Sequence, residues 1–187
     1  MKNSKTKRKR LLNATQIKAI LERFAREILR QYLSLDQVVF IGIRTRGPYM
    51  AKRLCEMIRK REGKAIPVGE MDITLYRDDL NALLPGGTID HTRIPFDISN
   101  KIIVLFDDVL NTGRTVRAAV DHLIDLGRPR MIHLAVMIDR GGRELPIAAN
   151  FVGKRIKVSP AADVQVRLKE VDRVDEVSVG EVPRPRV

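Results

Sequence analysis

An apolar run that ends in two carboxylates is the feature that most constrains the fold of this chain. Residues 102–106 are Ile-Ile-Val-Leu-Phe, and short runs rich in β-branched residues suit parallel strands that are buried on both faces. Asp107 and Asp108 follow at once, and from Val116 apolar residues recur at helical spacing until Gly127. The pattern predicts a central strand, an acidic turn and a helix within an α/β sheet.

The turn between this strand and this helix has the composition of a phosphate site. Residues 111–115 are Asn-Thr-Gly-Arg-Thr, and ligands of doubly wound sheets bind at the carboxyl ends of the strands. N–H groups at the start of a helix, helped by threonine hydroxyls, can cradle a phosphate that a glycine lets approach closely. The carboxylates before the turn can accept hydrogen bonds from sugar hydroxyls or lie near a Mg²⁺ that neutralises a diphosphate. The segment therefore predicts a site for a phosphorylated sugar.

A second charged turn follows another predicted strand, Val38–Ile43. Arg44, Thr45 and Arg46 come next, and Gly47-Pro48 is typical of a first helical turn. Taken alone, this turn could be an ordinary loop with exposed arginines. Beside the acidic turn, it would supply the cationic partners that a diphosphate needs.

Other patterns place the remaining elements. Asn13 with Gln16 predicts a capping box for a helix with one apolar stripe. Alternating or apolar runs predict further strands at residues 70–76, 131–138, 155–158 and 164–168. The weakly patterned residues 81–99 are long for a loop in a compact domain, and we interpret them as part of a lid.

Composition limits the class of protein. A chain of 187 residues that is 44% hydrophobic favours one compact domain. A single cysteine, Cys55, cannot form an intramolecular disulfide, and three scattered histidines disfavour a zinc site. No apolar run approaches the ~20 residues that span a bilayer, and no signal peptide is evident, so we expect a cytoplasmic protein without a membrane partner.

The charge of the chain is strongly positive. The net charge is +12, and residues 1–10 carry six basic and no acidic residues, which leaves 29 basic and 23 acidic residues, or +6, for the body. A basic body hints at a polyanionic partner. We predict a disordered basic arm over residues 1–12, a single domain over residues 13–180 and a loose tail over residues 181–187.

Several common chemistries lack their motifs in this chain. It has no Gly-x-x-x-x-Gly-Lys-Ser/Thr, no Gly-x-Gly-x-x-Gly after a strand and no Gly-x-Ser-x-Gly. These absences disfavour a P-loop nucleotidase, a dinucleotide-binding enzyme and an α/β-hydrolase. Binding or transfer at a phosphorylated ribose remains.

The segment 102–115 resembles the phosphoribosyl diphosphate signature of type I phosphoribosyltransferases. Together with residues 42–47, 72–80, 127–129 and 139–147, in the same order, it resembles the bacterial pyrimidine operon attenuation regulators, which also have uracil phosphoribosyltransferase activity. The likeness runs from about Asn13 to Val179. Asn111, Gly142 and Ala148 depart from it, since the family commonly has an aromatic residue, a histidine and an arginine there.

The resemblance implies an α/β type I phosphoribosyltransferase fold, with a central, mostly parallel sheet flanked by helices, a small hood and a flexible lid loop. The implied protein is bifunctional. It converts uracil and phosphoribosyl diphosphate to UMP and diphosphate with Mg²⁺, and it binds pyr mRNA in response to UMP or UTP for transcription attenuation. A homodimer or homotetramer is also implied. Two alternatives stay open: an RNA-binding nucleotide sensor with little or no catalysis, and a phosphoribosyltransferase for another nucleobase.

The resemblance also assigns residues, without a direct metal ligand. The implied catalytic residues are Asp107, Asp108 and Arg46. The implied substrate-binding residues are Thr45, Arg46, Asp107, Asp108, Val109, Leu110, Asn111, Thr112, Gly113, Arg114, Thr115 and Arg140. The lid would carry Tyr76, Arg77 and Asp78, and the RNA-binding candidates are Arg23, Arg26, Arg30, Arg143 and Lys154.

Overall fold

A five-stranded parallel sheet forms the centre of the computed structural model, which describes residues 8–74 and 91–181. Its strands are β2 Val38–Ile43, β3 Val68–Met71, β4 Ile102–Leu110, β5 Met131–Asp139 and β6 Phe151–Arg155. They lie in the order β3-β2-β4-β5-β6, and each pairs in parallel with its neighbours.

This strand order contains a topological switch point. From β2 the chain first adds β3 on one side, and it then returns to add β4 on the other side. The connections after β2 and β4 therefore diverge, and a crevice opens at the carboxyl ends of these two strands. The two charged turns that the sequence singles out both follow strands at this crevice.

Helices cover both faces of the sheet. Their bounds are α1 Ala14–Gln31, α2 Gly47–Glu62 and α3 Arg114–Leu126. Alternate strand residues such as Phe40 and Phe106 pack with α1 and α2, whereas Ile41 and Leu105 pack with α3 on the opposite face. Burial on both faces explains why the strands are nearly continuous apolar runs. The predicted α/β class with a parallel sheet is confirmed.

The hood is a three-stranded antiparallel sheet in the order β1-β8-β7. It comprises β1 Arg8–Asn13, β7 Ala162–Arg167 and β8 Glu176–Glu181, with the short helix α4 Lys169–Asp172 between β7 and β8. Its apolar residues join the core on the side of α1.

The beginning of the hood corrects the prediction of disorder over residues 1–12. Residues from Arg8 onward form β1, which pairs with β8. Leu12 is only 4% exposed, and Arg8 forms an ion pair with Asp163 at 2.7 Å. Burial of Leu12 and the backbone ladder outweigh the repulsion among the basic side chains. Residues 1–7 and 182–187 lie outside the described part.

Strand boundaries also differ from the predictions. β4 runs through the acidic pair to Leu110, because Asp107 and Val109 continue the ladder with β5. The strand predicted at residues 155–158 lies earlier, at Phe151–Arg155, where buried Phe151 pairs with Ala135. β3 ends at Met71, earlier than predicted. Within residues 8–74 and 91–181, no helix has the length and apolar character needed to cross a membrane.

Candidate active site

A polar cleft of about 400 Å³ lies at the switch point of the central sheet. The segments that follow β2 and β3, the carboxyl end of β4 and the first turn of α3 line it. The lining residues are Arg44, Thr45, Arg46, Asp72, Ile73, Thr74, Asp107, Asp108, Val109 and Thr115. The cleft thus combines carboxylates, guanidinium groups and hydroxyls within one space.

Two glycines set the position of the turn after β2. A Cβ on Gly42 would lie 2.1 Å from the backbone nitrogen of Pro48, and a Cβ on Gly47 would lie 2.4 Å from the carbonyl oxygen of Phe106. Both distances are too short for any side chain, so the turn can pack this closely against β4 only with glycine. This packing brings Arg46 to the acidic pair. The peptide bond between Arg44 and Thr45 is cis.

The two carboxylates differ in their environments. Asp107 is 7% exposed, and its Oδ1 accepts a hydrogen bond of 2.9 Å from the backbone N–H of Asp108. The Asp108 carboxylate lies 3.8 Å from the Arg46 guanidinium. Burial raises the pKa of Asp108 above its ordinary value, although the nearby positive charge of Arg46 opposes the shift.

Arg46 makes its main contact with the hood. Its Nε and one terminal nitrogen donate to the two carboxylate oxygens of Asp172, at 3.0 Å and 2.8 Å. These hydrogen bonds lower the pKa of Asp172 and raise that of Arg46. Asp172 also accepts a hydrogen bond of 2.9 Å from the backbone N–H of Leu168. The cleft and the hood are therefore joined by a bidentate pair.

The turn after β4 forms the start of α3. Gly113 is the N-cap of the helix and has a φ of 94°, a left-handed conformation that favours glycine. The Thr112 hydroxyl accepts a hydrogen bond of 3.3 Å from the backbone N–H of Arg114. The N-terminal end of a helix carries partial positive charge and N–H donors, so this turn can receive a phosphate beside the carboxylates.

Arg143 ties the loop after β5 to this turn. Its guanidinium donates to the Asp139 carboxylate at 2.6 Å, to the Asn111 carbonyl at 2.7 Å and to the Ile147 carbonyl at 2.9 Å. The backbone N–H of Glu144 donates to the Thr112 carbonyl at 3.0 Å. One side chain thus connects the end of β5 to the turn 111–115, which the sequence predicts to bind phosphate and which is called the phosphate turn below.

A model of the phosphoribosyl transferase domain matches residues 7–170 of this chain. The proteins named bifunctional protein PyrR from Thermus thermophilus and Chloroflexus aurantiacus are 51% and 53% identical to it. Each alignment covers 91% of the chain and 94% of the relative. The chain belongs to the PyrR family of phosphoribosyltransferases. The expected family is thereby confirmed.

Solved structures support the fold of this PyrR-family chain. The hypoxanthine phosphoribosyltransferase of Trypanosoma cruzi superposes with a TM-score of 0.71 at 17% identity, covering 92% of this chain and 96% of the other. That of Staphylococcus aureus gives a TM-score of 0.67 at 20% identity, covering 98% of both chains. At these identities, the likeness shows the type I phosphoribosyltransferase fold.

The PyrR-family cleft brings together many of the residues implied by the resemblance. Those that line it are Thr45, Arg46, Asp107, Asp108, Val109 and Thr115. Asn111, Thr112, Gly113 and Arg114 form the adjoining turn, where Arg114 pairs with Glu144 at 2.7 Å. Arg140 lies beyond the end of β5 and donates to the Ser159 carbonyl at 3.1 Å.

Leu110 does not line the cleft. Its side chain is 1% exposed and packs in the core beside α3. Its carbonyl instead accepts the backbone N–H of Arg140 at 3.0 Å. The lid residues Tyr76, Arg77 and Asp78 lie outside the described residues.

Arg44 also lines the cleft, and it lies in the charged turn that the sequence singles out after β2. The sequence prediction missed three cleft residues and one partner. Asp72, Ile73 and Thr74 line the cleft, and Asp72 accepts hydrogen bonds from the backbone N–H and the hydroxyl of Thr74. Their position directly after β3 could have indicated them, because this strand ends at the same edge as β2 and β4. Asp172 had no such signal, since it lies 126 residues from Arg46.

The RNA-binding candidates fall into two groups. Arg26 and Arg30 on α1 and Lys154 on β6 are exposed. Arg23 donates to the carbonyls of Val152 and Gly153, and it thereby connects α1 to the edge strand β6. Arg143 instead connects the loop after β5 to the Asn111 carbonyl. The first group is available to a partner, and the second also has an internal role.

The donor set of the cleft fits a magnesium ion that arrives with a phosphorylated substrate. Mg²⁺ prefers carboxylate, water and phosphate oxygens, and it is commonly held by one or two carboxylates plus the phosphates. Asp72, Asp107 and Asp108 supply carboxylates to the cleft. Over the described ranges, no group of three His, Cys, Asp or Glu residues could hold a metal by itself.

Proposed function

We propose that this chain transfers the phosphoribosyl group of phosphoribosyl diphosphate to uracil and forms UMP and diphosphate. In this reaction N1 of uracil bonds to C1 of the ribose, N1 loses its proton, and the C1–O bond breaks with its electron pair leaving on diphosphate. The observation that carries the proposal is the single cleft that joins an acidic pair, Arg46 and the start of α3.

Each part of the cleft has a role in this proposal. Asp107 and Asp108 accept hydrogen bonds from the ribose hydroxyls, and their charge favours the oxocarbenium-like transition state. The turn 112–115 and the N-terminus of α3 bind the 5′-phosphate. Thr45 and Arg46 face the diphosphate, whose departure a guanidinium stabilises. The substrate is thereby held at both of its charged ends around C1.

A bound Mg²⁺ would neutralise the charge of the diphosphate and so make it a better leaving group. Carboxylates of the cleft, together with oxygens of the diphosphate, would hold the ion. The choice of uracil follows from membership of the PyrR family. Residues 137–140, at the end of β5, would border the base.

A substrate panel tests the catalytic proposal. The protein is incubated with phosphoribosyl diphosphate, Mg²⁺ and either uracil, orotate, adenine, guanine or hypoxanthine, and diphosphate release is followed. We expect turnover with uracil. Turnover with a purine or orotate but not with uracil would overturn the choice of base, and no turnover with any base would favour the nucleotide sensor without catalysis.

We also propose that the chain binds pyr mRNA and that UMP or UTP strengthens the complex. Three exposed basic residues, Arg26 and Arg30 on α1 and Lys154 on β6, support a basic surface that faces RNA. They belong to one surface because Arg23 connects α1 to β6. The PyrR relatives are named bifunctional, which fits two activities in one chain. The loop between β5 and β6 is held to the phosphate turn by Arg143. A nucleotide bound at that turn could therefore alter the position of β6 and of the basic surface beside it.

Charge-reversal variants test the RNA surface. Arg26→Glu with Arg30→Glu should weaken binding of a pyr leader RNA by at least about tenfold, because each phosphate contact contributes electrostatically. Lys60→Glu with Arg61→Glu, at the exposed end of α2, changes the net charge equally and is the control. Equal losses in the two variants would point to net charge alone and contradict a defined surface.

We further propose that the protein acts in the cytoplasm as a homodimer or homotetramer. The exposed apolar residues Ile124 and Met131 line an apolar pocket after α3, and Leu126 is also exposed. Surfaces of this kind are commonly covered in oligomers. Light scattering of the purified protein measures its mass directly. A mass of 21.2 kDa at working concentrations would show a monomer and contradict this proposal.

A further inference from the structure

The hood presents three acidic side chains to two arginines, of which Arg46 is the N-cap of α2 and Arg53 lies within the helix. Arg46 pairs with Asp172, and Arg53, two helical turns later, pairs with Glu170 at 2.6 Å and with Asp175 at 2.7 Å. Asp172 and Asp175 are 16% and 15% exposed, so these pairs are partly shielded from water. The segment around α4 is therefore held by ion pairs both at the N-cap of α2 and within α2. Of these two contacts, only the one made by Arg46 lies at the cleft.

The pair nearer the cleft uses the donors that a diphosphate would need. A guanidinium binds an anion best through two parallel N–H groups, and Arg46 gives Nε and one terminal nitrogen to Asp172. Its other terminal nitrogen is 3.8 Å from Asp108, beyond hydrogen-bonding distance. The same fork cannot bind Asp172 and a diphosphate together.

We propose that Asp172 is a positioning residue that competes with diphosphate for Arg46, so that occupation of the diphosphate site releases the hood from the cleft. This inference rests on the proposed function, in which Arg46 faces the diphosphate. Arg46 then has two positions, one on the hood and one on the diphosphate. Arg53 keeps α4 attached to α2 in both, because its partners Glu170 and Asp175 do not take part in the exchange.

The competition makes a specific prediction about affinity. Removing the charge of Asp172 frees Arg46 before diphosphate arrives, so diphosphate should bind more tightly. We expect Asp172→Asn to lower the Kd of inorganic diphosphate in the presence of Mg²⁺ by about fivefold, as the loss of one partly exposed ion pair suggests. Asparagine retains an oxygen that can accept the Leu168 N–H, which limits damage to the hood.

The control is Glu170→Gln, which removes one negative charge from the same helix but from the partner of Arg53. Isothermal titration with inorganic diphosphate and Mg²⁺ is run on wild type, Asp172→Asn, Glu170→Gln, Arg46→Gln and the double variant with Arg46→Gln and Asp172→Asn. We expect tighter binding for Asp172→Asn, no change for Glu170→Gln, and no gain from Asp172→Asn when Arg46 is already glutamine. Thermal unfolding checks that each variant is folded.

The outcomes separate this inference from the proposed function. If wild type binds diphosphate and Asp172→Asn binds it equally or more weakly, the competition is wrong. An equal gain in Glu170→Gln, or a gain that persists without Arg46, also overturns it, because the effect is then general electrostatics. If Arg46→Gln binds diphosphate as well as wild type does, the role of Arg46 in the proposed function fails instead.

Discussion

Asp108 is the residue on which the proposed chemistry depends most directly. It lies near the end of β4, facing the cleft, and its side chain contributes little to the core. Asp108→Asn should reduce kcat/KM with uracil by at least about a hundredfold, the usual size for loss of a charge that stabilises a transition state. Circular dichroism should show an unchanged fold. Unchanged turnover would remove Asp108 from the site.

Gly47 makes a prediction about stability at the same scale. Gly47→Ala places a methyl group 2.4 Å from the Phe106 carbonyl oxygen, so the turn after β2 must move away from β4. We expect a loss of about 3 kcal/mol in the free energy of unfolding, as for overpacked core positions.

The control for this variant is Gly63→Ala at the end of α2. Nothing lies within 4 Å of the added methyl group, although the φ of 71° is unfavourable for alanine. We expect a loss of only about 1 kcal/mol, which reflects backbone conformation alone. Urea unfolding measures both values. Similar losses would contradict a steric cause at Gly47.

The chemical character of single residues was visible in the sequence, but their partners were not. The acidic pair and the phosphate turn are contiguous, so their order along the chain already indicates a shared site. The bond between Arg46 and Asp172 depends on how the hood folds over the sheet, and no local pattern predicts it. Arg143, an RNA-binding candidate from the sequence, is 23% exposed and paired with Asp139, a contact that no local pattern indicated.

At the scale of elements, the loop after β5 acts on the phosphate turn through Arg143. Arg143→Gln loses most of the hydrogen bonds to Asp139, Asn111 and Ile147, so the turn should become less ordered. We expect KM for phosphoribosyl diphosphate to rise about tenfold, the effect of a modest displacement of binding groups. Steady-state kinetics at saturating uracil measure it. The control is Arg130→Gln, at an exposed position before β5. An equal rise in KM in this variant would show that the hydrogen bonds of Arg143 do not hold the turn in place.

The end of α1 and the start of β5 form a second contact between elements, with a predictable pH dependence. The Tyr32 hydroxyl lies 2.5 Å from Nδ1 of His133, and burial lowers the pKa of His133 and raises the pKa of Tyr32 to about 12. A histidine whose pKa is depressed on folding has no effect on stability while both states are neutral, and it destabilises the native state once the unfolded chain takes up a proton that the native state does not. Stability should therefore fall as the pH drops from about 6.5 toward the depressed pKa of His133.

Urea unfolding between pH 5 and pH 7.5 tests this prediction. His133→Gln removes the titrating group, so the slope of stability against pH over this range should become shallower than in wild type. Most carboxylates titrate below this range, and all titratable groups except His133 are common to both proteins, which keeps the comparison specific. An unchanged slope in His133→Gln would show that another group is responsible.

The inner strands β2, β4 and β5 of the central sheet were predictable because they are largely buried on both faces and thus mostly apolar, whereas the edge strands β3 and β6 are more polar and were misplaced. β1 was missed for the opposite reason: half of its residues are basic, and only the adjacent Leu11 and Leu12 are apolar. Its partner strand β8 lies at the other end of the chain, and pairing over such a distance leaves no local pattern. The strand that contains the acidic pair was placed correctly, but its end was not, because the ladder with β5 continues through polar residues.

The whole molecule should unfold as one unit, because the hood shares the core on the side of α1. Leu12 of β1 packs in the same cluster as Phe24 and Phe106. Leu12→Ala should lower the free energy of unfolding by about 3 kcal/mol, the usual cost of a buried leucine, within a single transition. Lys9→Ala, exposed on the same strand, should change stability little. A separate early transition in Leu12→Ala would show that the hood unfolds independently.

The net charge of the whole molecule affects the proposed binding of pyr mRNA. With a net charge of +12, association with RNA should depend steeply on salt. The logarithm of the affinity should fall linearly with the logarithm of the salt concentration, with a slope of about −0.7 per single-strand phosphate neutralised. Filter binding between 50 mM and 200 mM salt, about the range in which such losses are large, measures the slope. An affinity that is independent of salt would contradict an electrostatic RNA surface.

The continuation of β4 through Asp107 and Asp108 has a consequence for how such a protein can diversify. The groups proposed to hold the sugar donor are anchored in the backbone ladder of a rigid central strand, whereas the segments near the proposed base site are loops and hood. Changes in the loops and the hood near the proposed base site therefore need not disturb the groups on β4 that are proposed to hold the sugar donor. One half of a two-substrate reaction is thus fixed by architecture, and the identity of the other substrate is left open to exchange among proteins that share this scaffold.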